Sequence, residues 1–315
     1  MKTFRISLLA AVIAITMAKA AEPGLLKPLA GVKRIVFLGD SITHAGQYVE
    51  FVEAWCRLRF PDHFVDFINI GLPSETVSGL SEDGHAGGQF PRPDLHERIE
   101  RVLAKSKPDL VVACYGMNCG IYLPFAGERF AKYQDGMERL RKACAAHGAK
   151  VLHVTPPTFD EVKGGKPGYG ATLDRYSAWL VGQRKLGWDV VDSHAPMNIH
   201  LAEQRAKDSK FFLAGDGVHC NETGHWLIAK AILLHWGEKQ VAEVADAKAL
   251  MAAHAHGAAV LKLVQQRQRL LKDAWLTATK HIRPGMKVGL PLDEANAKAA
   301  ELEKQIREAL GKPKS

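Results

Sequence analysis

The chain has 315 residues, of which 47% are hydrophobic and 24% are charged, a composition typical of a globular protein with a substantial core. This length allows one large domain with an appendage or two modest domains. The formal net charge of +8 comes from the first 20 residues and from the segment after residue 239, whereas residues 21–239 are neutral. The charge therefore does not indicate a nucleic-acid-binding face, and no nucleic-acid-binding motif accompanies it.

The N-terminal segment has the layout of a secretory signal peptide. Lys2 and Arg5 precede an apolar run at 6–18, and small residues precede the end of the segment at Ala20. The run is too short to span a bilayer comfortably, so an uncleaved anchor is the less favoured alternative. We expect cleavage after Ala20, a secreted or periplasmic location, and no stable membrane insertion.

Short apolar runs rich in branched residues alternate with segments of helical periodicity. The runs predict five buried strands, at 34–38, 64–70, 110–115, 150–155 and 188–192. The periodic segments predict helices at 48–59, 94–106, 128–147, 172–186 and 222–236. This order is typical of an α/β fold with a five-stranded parallel sheet that is covered on both faces. Ligands of such sheets bind beyond the carboxyl ends of the strands.

The character of the chain changes after residue 239. Alanine-rich helical sequence runs to Trp275 and a Pro- and Gly-containing link follows at 281–291. The last segment then has one apolar stripe, formed by Leu292, Ala295, Ala299, Leu302, Ile306 and Leu310. We interpret 240–315 as a helical C-terminal extension of a domain at 21–239. Its stripe would pack on that domain or support self-association.

Two short segments contain the residue types of a serine hydrolase. The first predicted strand ends in Gly39-Asp40-Ser41, and Asp216-Gly-Val-His219 lies just before the last helix of the domain. A serine hydroxyl needs a base to remove its proton, and His219 is the candidate base. Asp216 could orient the imidazole from within the same loop. A second candidate acid, Asp192, is more typical of the cap of a following helix.

A serine hydrolase also needs hydrogen-bond donors for the developing oxyanion. The candidates are the backbone N–H of Ser41, the backbone N–H of Gly71 after the second strand, and the side-chain amide of Asn118 after the third. All three lie just beyond strand ends, so we expect them to meet at one edge of the sheet. His44 is close to Ser41 in sequence and is a candidate substrate contact or a turn residue.

Four blocks in this order resemble the SGNH/GDSL hydrolase superfamily. They are Phe37-Leu-Gly-Asp-Ser41-Ile-Thr, Asn69-Ile-Gly71, Tyr115-Gly-Met-Asn118, and Asp216-Gly-Val-His219 with the residues that follow it. The resemblance covers about residues 33–236 and implies a flavodoxin-like, three-layer fold. It also implies that Ser41 is the nucleophile, His219 the base and Asp216 its orienting acid. Ser41, Gly71 and Asn118 would form the oxyanion hole.

One block departs from the family pattern, which commonly has aspartate after the asparagine. Here Cys119 follows Asn118, so the support of this loop must differ. Cys119 and Cys220 each follow a proposed catalytic residue, and an oxidising compartment would allow them to form a disulfide. The alternative is two small buried thiols.

The sequence predicts an exported serine esterase with no cofactor and no metal. The resemblance favours acetyl esters of carbohydrate as the substrate. Three alternatives stay open: a lipase, lysophospholipase or thioesterase with longer acyl chains; a polysaccharide O-acetyltransferase; and a non-catalytic carbohydrate-binding or interaction module. No Gly-x-Ser-x-Gly motif is present, which argues against a standard α/β-hydrolase.

Overall fold

The computed structural model describes residues 26–311. The predicted signal peptide, with its cleavage position after Ala20, lies outside the described residues. Five strands form one sheet in the order β2-β1-β3-β4-β5, and all neighbouring strands are parallel. The strands are β1 (Arg34–Gly39), β2 (Asp66–Asn69), β3 (Leu110–Cys114), β4 (Lys150–Val154) and β5 (Asp189–Val191). The predicted α/β class and the five-stranded parallel sheet are confirmed.

Eleven α-helices occur in the described part of the chain, together with four short 3₁₀ segments. They are α1 (Ser41–Ala45), α2 (Gln47–Arg59), α3 (Leu95–Ser106), α4 (Gly127–Ala146), α5 (Glu161–Gly164), α6 (Tyr169–Gly182), α7 (His194–Lys207), α8 (Glu222–His235), α9 (Ala247–Ala252), α10 (Gly257–Thr279) and α11 (Leu292–Ala309). The predicted helix at 172–186 begins earlier, at Tyr169, and its last turn is 3₁₀. Within residues 26–311, no helix combines the length and the apolarity that crossing a bilayer requires.

The sheet separates two hydrophobic cores. Successive side chains of a strand point to opposite faces, so Ile35 and Phe37 of β1 enter one core and Val36 and Leu38 enter the other. Helices α2 and α8 cover the first core, and α3 and α4 cover the second. This is the three-layer arrangement expected from near-continuous apolar strands.

The C-terminal helices pack onto the sheet domain. Helix α10 contacts α2 and β2, and α11 lies along α10. Three residues of the predicted stripe, Ala295, Ala299 and Ile306, are buried. The extension contributes to both cores, for example through Val264 in the first and Trp275 in the second. The predicted helical extension is thus present, and it is an integral part of the packing of the chain.

Candidate active site

Ser41 lies at the sharp turn between β1 and α1. Asp40 caps the helix, and its side chain accepts a hydrogen bond from the backbone N–H of Ile42 at 2.9 Å. The strand and the helix approach closely at Gly39, where a Cβ atom would lie 2.1 Å from Thr43 Oγ1. Glycine is therefore required at this position, and the turn presents Ser41 at the carboxyl end of β1.

Asp216 and His219 occupy a tight loop before α8. Asp216 Oδ1 accepts hydrogen bonds from the backbone N–H groups of Val218 and His219, at 2.9 Å and 2.8 Å. Gly217 has φ +82° and a Cβ there would lie 2.5 Å from the backbone of Gly164, so only glycine fits. The carbonyl of Gly217 accepts a hydrogen bond from the N–H of Asp160 at 3.0 Å, which anchors the loop to α5.

The structure brings the three proposed catalytic side chains into one chain of hydrogen bonds. His219 Nε2 lies 2.9 Å from Ser41 Oγ, although 178 positions separate the two residues. His219 Nδ1 lies 2.6 Å from Asp216 Oδ2. When Nδ1 carries the proton and donates it to Asp216, Nε2 is free to accept the serine proton. The geometry is that of a nucleophile, a base and an orienting acid.

The environment of Asp216 keeps its carboxylate charged. Partial burial acts to raise its pKa, but the hydrogen bonds from the side chain and backbone of His219 and from the N–H of Val218 outweigh it and lower the pKa to about 2. About half of the Asp216 and His219 side-chain surfaces is exposed, at 56% and 55%. The site is therefore an open rim at the edge of the sheet, with direct access for substrate.

Two of the three expected oxyanion donors are available in the structure. The N–H of Ser41 belongs to the first turn of α1, where backbone N–H groups have no partner within the helix. The Asn118 amide donates one N–H to the carbonyl of Glu75 at 3.2 Å, which leaves the second for a ligand. The N–H of Gly71 instead donates to Asn69 Oδ1 at 2.9 Å, so it can serve only if this bond is shared or exchanged.

Gly71 also allows a close approach between the end of β2 and α1. A Cβ atom there would lie 2.5 Å from the backbone nitrogen of His44 in α1. The end of β2 therefore packs directly against the helix that carries Ser41. Asn69 ties the same two elements together, because its amide donates to the carbonyl of Thr43 at 2.7 Å.

Two tyrosine side chains support the Asn118 loop. Tyr122 donates to Asn118 Oδ1 at 2.9 Å, which fixes the orientation of the amide. Tyr169 of α6 donates to the carbonyl of Met117 at 2.6 Å and accepts from the N–H of Gly120 at 3.2 Å. Sequence reasoning missed Tyr122 and Tyr169, since no local pattern marks either.

Buried polar groups lie beneath the site and were also missed. Arg98 and Glu75 form a fully buried ion pair at 2.6 Å, and Tyr115 donates to Glu75 Oε2 at 2.6 Å. The carbonyl of Glu75 is the acceptor of the Asn118 amide. Arg92 also forms an ion pair at 2.6 Å, with Glu82, and its guanidinium lies 5.2 Å from the centre of the Tyr122 ring.

The hypothesis of a disulfide between Cys119 and Cys220 is wrong for this structure. All five cysteines carry free thiols. Burial raises the pKa of Cys119 to about 11 and that of Cys220 to about 12, so both are small, neutral, packed groups. The Asn118 loop and the His219 loop are held by hydrogen bonds and packing instead.

Asp192 and His44, the other two candidates from the sequence, have surroundings that suggest structural roles. Asp192 directly precedes Ser193, the N-cap residue of α7, and its side chain accepts from the N–H of Ala195 in the first turn at 3.2 Å. His44, on α1, has a pKa lowered to about 4 by burial and by nearby cations, first among them Lys272. Within residues 26–311, no group of three or more His, Cys, Asp or Glu side chains is placed to hold a metal ion.

Comparisons with known proteins show similarity at the level of family and fold. The sequence profile of the GDSL-like Lipase/Acylhydrolase family matches residues 37–227, more than half of the chain. No curated protein matches. A gut microbial diltiazem-metabolizing enzyme is similar in structure, with 22% identity and a TM-score of 0.51. That match covers 65% of this chain and 47% of the other, so it spans about half of that enzyme.

The acetylxylan esterase of Geobacillus stearothermophilus is similar over nearly all of its length. It has 23% identity and a TM-score of 0.51, and the match covers 65% of this chain and 94% of the esterase. Structures of three of its catalytic mutants also match, in which a serine, an aspartate and a histidine are replaced by alanine. At this identity the likeness shows the fold. With the matched profile, it shows that the chain belongs to the GDSL-like lipase/acylhydrolase family, a family of carboxylic ester hydrolases.

Proposed function

We propose that the protein is an exported serine esterase that removes acetyl groups from carbohydrate. The observation that carries this proposal is the continuous chain of hydrogen bonds from Ser41 through His219 to Asp216, at 2.9 Å and 2.6 Å. A binding module has no need for this arrangement together with two oriented oxyanion donors. The export is proposed from the N-terminal sequence, and the domain boundary near residue 240 also stays a prediction.

The first half-reaction forms an acyl-enzyme. Ser41 Oγ attacks the ester carbonyl carbon while its proton passes to His219 Nε2. Asp216 stabilises the resulting imidazolium through the bond to Nδ1. The backbone N–H of Ser41 and the free N–H of Asn118 donate to the oxyanion of the tetrahedral intermediate. His219 then returns the proton to the departing alkoxide, and the alcohol leaves.

The second half-reaction restores the enzyme. Water replaces the alcohol, and His219 takes its proton as the oxygen attacks the acyl carbon. The same two donors stabilise the second oxyanion, and His219 returns the proton to Ser41 Oγ as the bond between Oγ and the acyl carbon breaks and the acid leaves. Asp216 is charged throughout, because its pKa of about 2 lies far below the pH at which such a site works.

Two observations support acetyl esters of carbohydrate as substrates. The site lies on an open rim, which suits a bulky alcohol such as a sugar chain. The esterase of similar fold is an acetylxylan esterase, and its catalytic aspartate and histidine are three positions apart, as Asp216 and His219 are. Self-association through the C-terminal helices is a separate prediction, and α11 packs much of its stripe within its own chain.

Hydrolysis of 4-nitrophenyl acetate and acetylated xylan by the purified protein and by Ser41→Ala tests the mechanism. We expect Ser41→Ala to lose at least about 10⁴-fold in kcat, since removing the nucleophile of a triad abolishes acyl transfer. Ser209→Ala, at an exposed loop serine, is the matched control and should be unaffected. Substantial activity in Ser41→Ala would contradict the assignment.

The same assay separates the alternatives. Faster cleavage of 4-nitrophenyl octanoate than of the acetate would indicate a lipase-type acyl site. Formation of acetylated sugar when free sugar acceptors are added would indicate an acetyltransferase. A protein that binds xylan with no turnover of any ester would be a binding module.

A further inference from the structure

The orientation of the Asn118 side chain is set by two hydrogen bonds. Its amide nitrogen donates to the carbonyl of Glu75 at 3.2 Å, and its Oδ1 accepts from the hydroxyl of Tyr122 at 2.9 Å. A half-turn of the amide would place Oδ1 against the Glu75 carbonyl, so that two acceptors would face each other. The side chain is 3% exposed, which makes a lost partner costly. The two bonds together therefore specify one orientation of the amide.

The ring of Tyr122 is held by aromatic and cationic neighbours. It packs against Tyr169, with 4.9 Å between the ring centres, and against Phe159, at 6.0 Å. The guanidinium of Arg92 lies over the ring at 5.2 Å from its centre, and Arg92 is itself fixed by Glu82 at 2.6 Å. These contacts leave the hydroxyl little freedom to move away from the amide that it binds.

The hydroxyl of Tyr122 stays protonated and can therefore donate. Desolvation raises the pKa of Tyr122, and the nearby charge of Asp40 adds to this, whereas that of Arg92 opposes it. A phenol in this environment is uncharged at every pH at which His219 works as a base. Since the oxygen of an amide only accepts, the phenol is the donor in this bond.

The two residues that carry the loop back towards Asn118 have an unfavourable backbone conformation. Ile121 has φ +49° and Tyr122 has φ +57°, both in the left-handed region. A positive φ is uncommon for residues other than glycine and is an outlier for a β-branched residue. Such strain persists only where surrounding contacts impose it, and it is concentrated at functional sites. Here it accompanies a bond from the Tyr122 hydroxyl to a side chain only four positions earlier.

We propose that Tyr122 is a positioning residue for stabilisation of the oxyanion. Its hydroxyl holds the Asn118 amide so that the N–H that Glu75 leaves free is already oriented when negative charge develops. The inference rests on the proposed function, in which this N–H donates to the tetrahedral intermediate. A donor that is oriented beforehand does not have to reorganise during the reaction. In this role Tyr122 acts through Asn118 and needs no contact with the substrate.

The test begins with Tyr122→Phe, which removes the hydroxyl and keeps the ring. We expect its kcat for 4-nitrophenyl acetate to fall about tenfold with KM nearly unchanged, because the oxyanion contact is made in the transition state and not by the bound ester. Asn118→Ala removes the donor itself and should lower kcat about 100-fold or more. Steady-state kinetics of both variants and of Tyr122→Phe/Asn118→Ala measures how the two residues depend on each other.

The double variant separates a positioning role from a structural one. If Tyr122 acts only through Asn118, the double variant has the same kcat as Asn118→Ala, since no amide is left to position. Losses that multiply in the double variant, or an unchanged kcat in Tyr122→Phe, would overturn the inference. Tyr176→Phe is the matched control and should keep the wild-type kcat. It removes a hydroxyl in the second core, where the Tyr176 ring stacks on Tyr133 at 4.4 Å, without touching the bond to Asn118.

A failure of the proposed function would be recognised separately, since the wild type would then cleave no ester. The rate at which an alkyl fluorophosphonate labels Ser41, followed by mass spectrometry, decides the inference in that case. Ser41 Oγ attacks the phosphorus, its proton passes to His219 and fluoride leaves, while the phosphoryl oxygen takes the place of the oxyanion. A loss of about tenfold in the labelling rate of Tyr122→Phe that is absent in the Asn118→Ala background supports the role. Equal labelling of Tyr122→Phe and the wild type, or no labelling of the wild type, contradicts it.

Discussion

Two aspartates near His219 differ because their surroundings differ. Asp216 is half-exposed and accepts three hydrogen bonds from the His219 loop, which bring its pKa to about 2. Asp40 directly precedes Ser41 and is 3% exposed; burial raises its pKa to about 6, although the N–H of Ile42 and the charge of His219 oppose this. Of the two, only Asp216 has a lowered pKa, as its proposed role of orienting the base requires. Asp40 instead shapes the turn as a helix cap.

The raised pKa of Asp40 predicts a pH-dependent stability. Above about pH 6 the folded protein holds an ionised carboxylate in a buried site, which is unfavourable, whereas below about pH 4 the group is protonated in both states. The contribution of Asp40 to the free energy of unfolding therefore falls as the pH rises between these values. We expect Asp40→Asn to be more stable than the wild type by about 2 kcal/mol at pH 7.5 and about equal to it at pH 4.

Urea denaturation of both proteins across this pH range measures the difference. Asp246→Asn, at the exposed cap of α9, is the matched control for the loss of a capping carboxylate. A constant difference between Asp40→Asn and the wild type at all pH values would show that burial does not govern this carboxyl.

At the scale of elements, α1 is a helix of five residues that depends on its neighbours. A single turn is not stable in isolation, because nucleation costs more than one hydrogen bond supplies. Two side chains from outside bind its C-terminal carbonyls. Asn69 donates to Thr43 at 2.7 Å, and Lys272 of α10 donates to His44 at 2.6 Å. The C-terminal extension therefore helps to hold the helix that positions Ser41.

Lys272→Met removes this support while keeping an apolar side chain of similar length. We expect kcat for 4-nitrophenyl acetate to fall about three- to tenfold, since a charge-assisted hydrogen bond to the catalytic turn is lost. KM should change less. Lys262→Met, at an exposed position of the same helix, should leave kcat at the wild-type value. Steady-state kinetics of the two variants tests the connection, and an equal kcat in both would argue against it.

At the scale of the whole molecule, one buried carboxylate joins the extension to the sheet domain. Glu53 of α2 is fully buried and pairs with Arg57 at 3.1 Å and with Arg267 of α10 at 3.2 Å. Arg267 also pairs with Asp66 of β2 at 2.7 Å, and Gln268 donates to the carbonyl of Phe67 at 2.9 Å. The extension and the sheet domain are thus connected by polar contacts as well as by shared cores, which favours unfolding as one unit.

Arg267→Met leaves Glu53 with one cation fewer in a site without solvent. We expect it to destabilise the protein by about 3 kcal/mol, as is usual when one partner of a buried pair is removed. The double variant Glu53→Met/Arg267→Met removes both charges and should recover part of this loss. Urea denaturation monitored by fluorescence measures both effects. If the double variant lost more free energy of unfolding than the two single variants lose together, the role assigned to this pair would be contradicted.

The sequence by itself determined the fold class, and it predicted the residues of the site. Near-continuous apolar runs and helical periodicity predict the strands and helices, because both are local patterns. Asp216 and His219 could be paired for the same reason, since they are three positions apart and one loop brings them together. The order of the four blocks then indicated Ser41 and Asn118 as their partners.

Only the tertiary structure decided the contacts between distant segments. It shows Gly71 bonded to Asn69, Cys119 and Cys220 as free thiols, and Tyr122 behind the Asn118 amide. It also places Lys272 of the extension against the helix that carries Ser41. Such contacts depend on how helices and loops pack across the edge of the sheet. No local spacing specifies them, because the groups that meet there are separated by up to 228 positions.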